Sequence, residues 1–210
     1  MAAPLTTDLL PAVSKDARPL LVVLHGLGDS MEGYRWLPSA LNLPWLSYLF
    51  VNAPDAYYGG YSWYDYAGEP HPGIVRSRQL LFQLLDSQRE AGFPTEQTFL
   101  FGFSQGCLMS YEIALRYPRP LAGVIGISGY VHEPETLLAE RAPAAAQQQI
   151  LVTHGVYDPV IPFTAAREQA NQLKAEGIHL EWHEFPKEHT LAGEAELAVI
   201  REFVKRRTSG

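Results

Sequence analysis

Thr98-Phe-Leu-Phe-Gly-Phe-Ser-Gln-Gly-Cys-Leu-Met-Ser-Tyr-Glu-Ile-Ala-Leu-Arg-Tyr117 is the stretch that decides the fold. Thr98 to Phe103 is a short apolar run, which reads as a buried strand. Gln105 to Tyr117 reads as a helix ended by Pro118. Between them, Gly102-Phe-Ser-Gln-Gly106 has the G-x-S-x-G pattern of a sharp turn from strand into helix. Side chains at 102 and 106 would collide with neighbouring backbone in so tight a turn. The strain pushes Ser104 Oγ out at the end of the strand. The helix then aims its positive N-terminus at the same point, which favours developing negative charge. About 0.1 chance matches to the pattern are expected in a chain of this composition, so the flanking strand and helix carry the weight. The plainer alternative is a glycine-rich turn with an N-capping serine.

Working outward, the elements alternate. Strands are expected at Leu20–Leu24, Ser47–Val51, Leu121–Ile127, Gln149–Thr153 and Ile178–Phe185. Helices are expected near 31–41 and at Ile74–Ala91, Phe163–Glu176 and Ala192–Lys205, with Gly92 and Gly177 as stop signals. A loop rich in aromatics and glycine runs from 52 to 73. Strands separated by helices imply an α/β fold, a mostly parallel central sheet with helices on both faces. In such sheets the site lies at the carboxyl ends of the strands. The loops after Leu24, Phe103, Thr153 and Phe185 are therefore the places to look.

The chain has 210 residues, 47% hydrophobic and 19% charged, with no repeat or long low-complexity linker. It reads as a single domain over 1–210, with residues 1–18 as an N-terminal extension. A net charge of −7 argues against a phosphate-backbone partner, so no nucleic acid is expected. The one cysteine, Cys107, forbids an internal disulfide and fits a reducing compartment. The first residues, with Asp8, Lys15, Asp16 and Arg18, lack the apolar run of a signal peptide, and no stretch matches a membrane span. The expectation is a cytoplasmic protein.

A serine hydroxyl attacks a carbonyl only when a histidine accepts its proton and a carboxylate orients that histidine. Where a strand–turn–helix serine is the nucleophile, the chain order is Ser, acid, His. Asp158 is the only aspartate after residue 86 and follows the strand at 149–153. Its alternative is an Asp-Pro turn former. The base must come from His179, His183 or His189. In Ile178-His-Leu-Glu-Trp-His-Glu-Phe185, positions 179, 181 and 183 share the polar face of a strand and read as solvated. His189 lies past the strand end, before the last helix, where a reaching base belongs. Ser128 is the rival serine, but it lacks glycine two residues on. His25 and His154 precede the acid and read as structural or lining, and His71 and His132 as loop residues.

A tetrahedral intermediate needs two backbone N–H donors for its oxyanion. One is expected from Gln105. The other is expected from Leu27 in His25-Gly-Leu-Gly-Asp29, where the glycines let the backbone turn inward. Asp29 reads as a residue that fixes this turn. Tyr57, Tyr58, Tyr61, Trp63, Tyr64 and Tyr66 crowd one loop. They either wall an apolar acyl pocket, with Trp63 the foremost candidate, or cap the sheet and bury one another. Cys107 reads as a small buried side chain. No spaced His/Cys/Asp cluster reads as a metal site, so neither metal nor cofactor is expected.

His25-Gly-Leu-Gly-Asp29, Ser62-Trp-Tyr-Asp65, Gly102-Phe-Ser-Gln-Gly106, Gly155-Val-Tyr-Asp-Pro-Val-Ile-Pro162 and His189 come in one order. Together they resemble the phospholipase/carboxylesterase family of α/β-hydrolases, which includes acyl-protein thioesterases, from about Pro19 to Val204. The resemblance implies an α/β-hydrolase fold with a minimal lid or none. It implies Ser104, Asp158 and His189 as catalytic residues and donors at Leu27 and Gln105; the substrate pocket is expected at Trp63, Val160 and Ile161. It also implies cofactor-free cleavage of esters, lysophospholipids or S-acylated proteins, and a homodimer in some members. Cys107 and Glu188 stand where the family often has glycine, and Glu188 sets a carboxylate beside His189.

The expected function is thus a serine carboxylesterase or thioesterase working through an acyl-enzyme on a small-molecule or lipid-like acyl ester. The alternatives are a lactone- or dienelactone-type hydrolase, a non-catalytic ligand-binding protein on the same scaffold, and an interaction domain with no pocket.

Overall fold

Every residue of Leu20–Leu24 is buried, which is what a strand covered on both faces requires. In the computed structural model, which describes residues 4–14 and 18–208, this strand is β2. Leu20, Val22 and Leu24 join one hydrophobic cluster, while Leu21 and Val23 join the other. The period of two thus sorts one short run into both halves of the core.

The remaining elements follow in chain order. Thr7–Leu10 is β1, and after β2 come α1 (Leu37–Leu41), β3 (Ser47–Val51), β4 (Asp55–Tyr57), β5 (Gly60–Ser62) and α2 (Pro70–Glu90). Then come β6 (Thr98–Phe103), α3 (Gln105–Arg116), β7 (Gly123–Ile127), α4 (Pro134–Ala139), β8 (Gln149–Gly155), α5 (Phe163–Ala175), β9 (His179–Phe185) and α6 (Glu194–Thr208). The main sheet has seven strands in the order β1-β3-β2-β6-β7-β8-β9. Only the β1–β3 pair is antiparallel. Residues from α1 and α6 fill one core cluster, and residues from α2, α3, α4 and α5 fill the other, so helices cover both faces.

Four departures from the sequence reading have physical reasons. Residues 7–10 of the extension pair with β3 as an edge strand, while residues 1–3 and 15–17 of it lie outside the described residues. The helix expected at 31–41 splits into a short 3-10 turn, Met31–Tyr34, and α1, with Pro38 in the first turn of the second piece. The helix expected from Ile74 begins at Pro70, because proline fits the first turn of a helix. The aromatic loop contains the hairpin β4–β5, whose turn residues Tyr58 and Gly59 both have positive φ, at 43° and 88°.

Candidate active site

The turn after β6 forces Ser104 into a conformation that side chains rarely take, φ 54° and ψ −114°. Two glycines make it possible. A Cβ on Gly102 would lie 2.2 Å from the Gly106 carbonyl oxygen, and one on Gly106 would lie 2.2 Å from the Leu24 carbonyl oxygen. The Ser104 N–H donates to the Ile127 carbonyl at 2.9 Å, which anchors the strained residue to β7.

Asp158 follows β8, and His189 follows β9. Ser104 Oγ–H donates to His189 Nε2 at 3.0 Å, and His189 Nδ1–H donates to Asp158 Oδ2 at 2.8 Å. The other carboxylate oxygen, Oδ1, accepts the N–H groups of Val160 and Ile161, each at 2.9 Å. Burial would raise the Asp158 carboxyl. The donors from Ile161, His189 and Val160 outweigh it and hold the group below its ordinary value, so the carboxylate is ionised at neutral pH. His189 rests its ring on Phe103, with centroids 4.9 Å apart. Such a chain can pass a serine proton to imidazole while the carboxylate holds the tautomer.

Ser104 and His189 open on a cavity of about 330 Å³ with a mainly apolar wall, and Asp158 lies buried behind them. Tyr64, Tyr66, Phe103, Tyr130, Val160 and Ile161 line it, as do Leu27 and Gln105 next to Ser104. Of the residues expected in the substrate pocket, Val160 and Ile161 line this cavity. Trp63 does not. It is fully buried, its indole N–H donates to the His25 carbonyl at 2.9 Å, and its ring packs on the imidazole of His25. Trp63 braces the glycine loop from behind, and Tyr64, Tyr66 and Tyr130 supply the aromatic wall instead. Tyr130 stands outside the aromatic loop, so no local cluster marks it as a wall residue. The hydrogen bond between the Tyr64 and Tyr130 hydroxyls, 3.1 Å, joins the two segments.

The aromatic loop also holds the elbow. The Gln105 side-chain carbonyl accepts from Trp63 N–H at 3.0 Å and Ser62 Oγ at 3.2 Å, and its NH₂ donates to the Tyr64 carbonyl at 3.1 Å. Gly28 N–H donates to the Tyr61 carbonyl, and Tyr61 N–H to the Asp29 carbonyl, each at 2.9 Å. Asp29 Oδ1 accepts the Ser30 N–H at 2.7 Å, which fixes the turn. His25 is structural. Its Nδ1–H donates to the Gly26 carbonyl at 2.7 Å and its Nε2 accepts from Ala53 N–H at 3.0 Å. Burial pushes its pKa down and keeps it neutral. His154, buried and stacked on Trp182, donates to the Ile161 carbonyl at 3.1 Å and so supports the loop of Asp158. Ser128 is fully buried and away from the cavity lining. His179 and His183 stay on the edge strand β9.

Among the described residues, one group has the composition of a metal site: His71, His132 and Glu133, whose ligand atoms lie within 4.8 Å of one another. Sequence spacing did not show it, because the start of α2 and the turn before α4 meet only in the fold. None of the three belongs to the hydrogen-bonded chain of Ser104. His71, expected in a loop, is in the first turn of α2.

The family model described as Phospholipase/Carboxylesterase matches residues 10–207. The chain belongs to the phospholipase/carboxylesterase family. Acyl-protein thioesterase 1 of Schizosaccharomyces pombe is 30% identical over 218 residues, with 96% of each chain covered. Carboxylesterase SOBER1 of Arabidopsis thaliana is 28% identical over 211 residues, with 92% of each covered. The crystal structure of esterase PE8 superposes with a TM-score of 0.83 at 30% identity, covering 97% of this chain and 99% of that one. The mostly parallel sheet and its helices are the α/β-hydrolase fold of this family.

Cys107 fits because β7 and the turn after it are stripped of side chains opposite it. A Cβ on Gly126 would lie 2.7 Å from Cys107 Sγ, and one on Gly129 would lie 2.4 Å from Cys107 Cβ. Burial pushes the Cys107 thiol up to about 12. At neutral pH it is a protonated, sealed side chain and not a second nucleophile. In the native protein Ellman's reagent should therefore release almost no thionitrobenzoate over an hour, and one equivalent per chain after unfolding in guanidinium. Fast native reaction would show that the elbow helix opens. Glu188 is exposed, and its carbonyl accepts the Thr190 N–H at 2.9 Å.

Proposed function

We propose that this protein is a serine carboxylesterase/thioesterase that hydrolyses small-molecule or lipid-like acyl esters through an acyl-enzyme. In this reading Ser104 is the nucleophile, His189 the general base and acid, and Asp158 the residue that orients it. The unbroken chain Asp158–His189–Ser104, opening on an apolar cavity, carries the reading. Relatives named as thioesterases and carboxylesterases favour it over a lactone hydrolase or a binding scaffold.

His189 Nε2 takes the Ser104 proton as Oγ adds to the acyl carbon. The carbonyl π pair moves to oxygen, where the Leu27 and Gln105 N–H groups receive it. When the pair returns, the bond to the leaving alkoxide or thiolate breaks, and His189 gives that group its proton. Water then enters, loses a proton to the same nitrogen, and releases the acid from Ser104. No cofactor takes part. The acyl chain lies against Tyr64, Val160 and Ile161.

The reading takes residues 1–210 as one domain and the cytoplasm as the site of action. It gives nucleic acid no role. No helix among the described residues is long and apolar enough to cross a membrane. A homodimer, the state of some family members, is compatible with a site built from one chain.

Initial rates on p-nitrophenyl esters and matched acyl thioesters of increasing chain length test the proposal. Saturable turnover of several of them, independent of added metal and insensitive to EDTA, is expected. Failure to turn over any of them, by a folded protein, would contradict it.

A further inference from the structure

Behind the loop that carries His189 lies a cluster of buried charge that the hydrogen-bonded chain of Ser104 does not use. Glu196, in the first turn of α6, is 0% exposed, and Lys187 is 5% exposed. Lys187 Nζ donates to Glu196 Oε1 at 2.6 Å. The same oxygen accepts from the Thr153 hydroxyl of β8. The second oxygen, Oε2, accepts the backbone N–H of Ala192. One carboxylate therefore ends three donors, one from β8 and one from each arm of the 186–193 loop.

Those segments have a common relation to the base. Lys187 precedes His189 by two residues, Ala192 follows it by three, and Thr153 lies on the strand that leads to Asp158. The backbone is stitched to the same place. Val156 N–H donates to the Phe185 carbonyl at 3.0 Å, and Tyr157 N–H to the Lys187 carbonyl at 3.1 Å. A Cβ on Gly155 would come within 2.3 Å of the Lys187 carbonyl oxygen, so the two backbones touch.

We infer that Glu196 is a positioning residue for the general base, holding both arms of the 186–193 loop to β8 so that His189 reaches Ser104 and Asp158 together. The inference rests on the assignment of His189 as that base. Lys187 supplies the counter-charge without which a buried carboxylate is costly. Burial pushes the Lys187 ammonium down, and Glu196 opposes that shift. Displacing a catalytic group by about 1 Å costs about 10²-fold in rate, which sets the scale of the effect.

Two double variants separate the tether from the charge. Lys187→Met with Glu196→Gln removes both charges but leaves a carboxamide that accepts from Ala192 N–H and donates to Thr153 Oγ1. Lys187→Met with Glu196→Leu removes both charges and both hydrogen bonds. An apolar replacement of a buried ion pair is commonly tolerated by the fold. Circular dichroism and melting identify the folded proteins. On p-nitrophenyl butyrate the glutamine pair should retain kcat within about 3-fold. The leucine pair should lose about 10- to 100-fold in kcat at nearly unchanged KM, and its Ser104 should react more slowly with a fluorophosphonate in proportion. A merely structural role would move melting and leave that split untouched. If the folded leucine pair matches the glutamine pair in kcat, the inference is wrong. If the leucine pair does not fold, Thr153→Val decides: a fall in kcat at constant KM supports the tether, and a wild-type kcat overturns it. Ser104→Ala is run beside them. If it stays active, the functional reading itself has failed. If it is inactive while the leucine pair is not, only the positioning role has.

Discussion

Ser104→Ala is expected to lower kcat on p-nitrophenyl esters by about 10⁶, equivalent to about 8 kcal/mol of barrier. The substitution removes the atom that forms the acyl bond, and the rest of the site stays in place. Ser104 Oγ makes no capping bond to α3, and its hydroxyl donates only to His189. Alanine keeps a Cβ, so the strained φ of 54° is no worse than before. Stability should therefore change by less than about 1 kcal/mol. The cavity wall is intact, and KM for any residual turnover should stay near the wild-type value. Stopped assays at high enzyme concentration, with a melting curve for each protein, measure both halves of the expectation. A folded variant that keeps a tenth of the wild-type rate would remove Ser104 from the mechanism.

Asp158→Asn should cost about 10⁴ in kcat, a magnitude seen for the equivalent change in another serine hydrolase. The reason is a tautomer. Asn Oδ1 can keep the two N–H donors of Val160 and Ile161. The amide NH₂ then faces His189 Nδ1, which must turn acceptor, and the imidazole proton moves to Nε2. That nitrogen faces Ser104 Oγ, where an acceptor is needed. The geometry survives while proton transfer is blocked. Steady-state kinetics across pH should show the loss throughout the neutral range, because the wild-type carboxylate is ionised there. A loss of only a few-fold would mean that Asp158 serves the turn and not the base.

Much of this was legible in the sequence because period and turn chemistry are local. β6, its glycines and α3 are visible as a strand, a steric constraint and a helix. His189 separates from His183 because alternation along β9 assigns 183 to a strand face. What was missed depends on partners far away in the chain. Residues 7–10 become a strand only by pairing with β3, and with two polar residues among four they carry no strand signal of their own. Trp63 and Tyr64 adjoin each other and are both buried in the core, and only the packing gives Tyr64 and not Trp63 a face on the cavity. Lys187 and Glu196 carry no local sequence signal of burial. Their burial follows from the closure of α6 over β8, which no local pattern announces.

The most direct test is a rapid acid quench during turnover of a p-nitrophenyl ester, followed by peptide mapping by mass spectrometry. The account expects the acyl mass on the peptide containing Ser104, assigned by fragmentation to that serine, and absent from Ser104→Ala. Turnover that leaves no acyl-enzyme, or an acyl group on another residue, would contradict it.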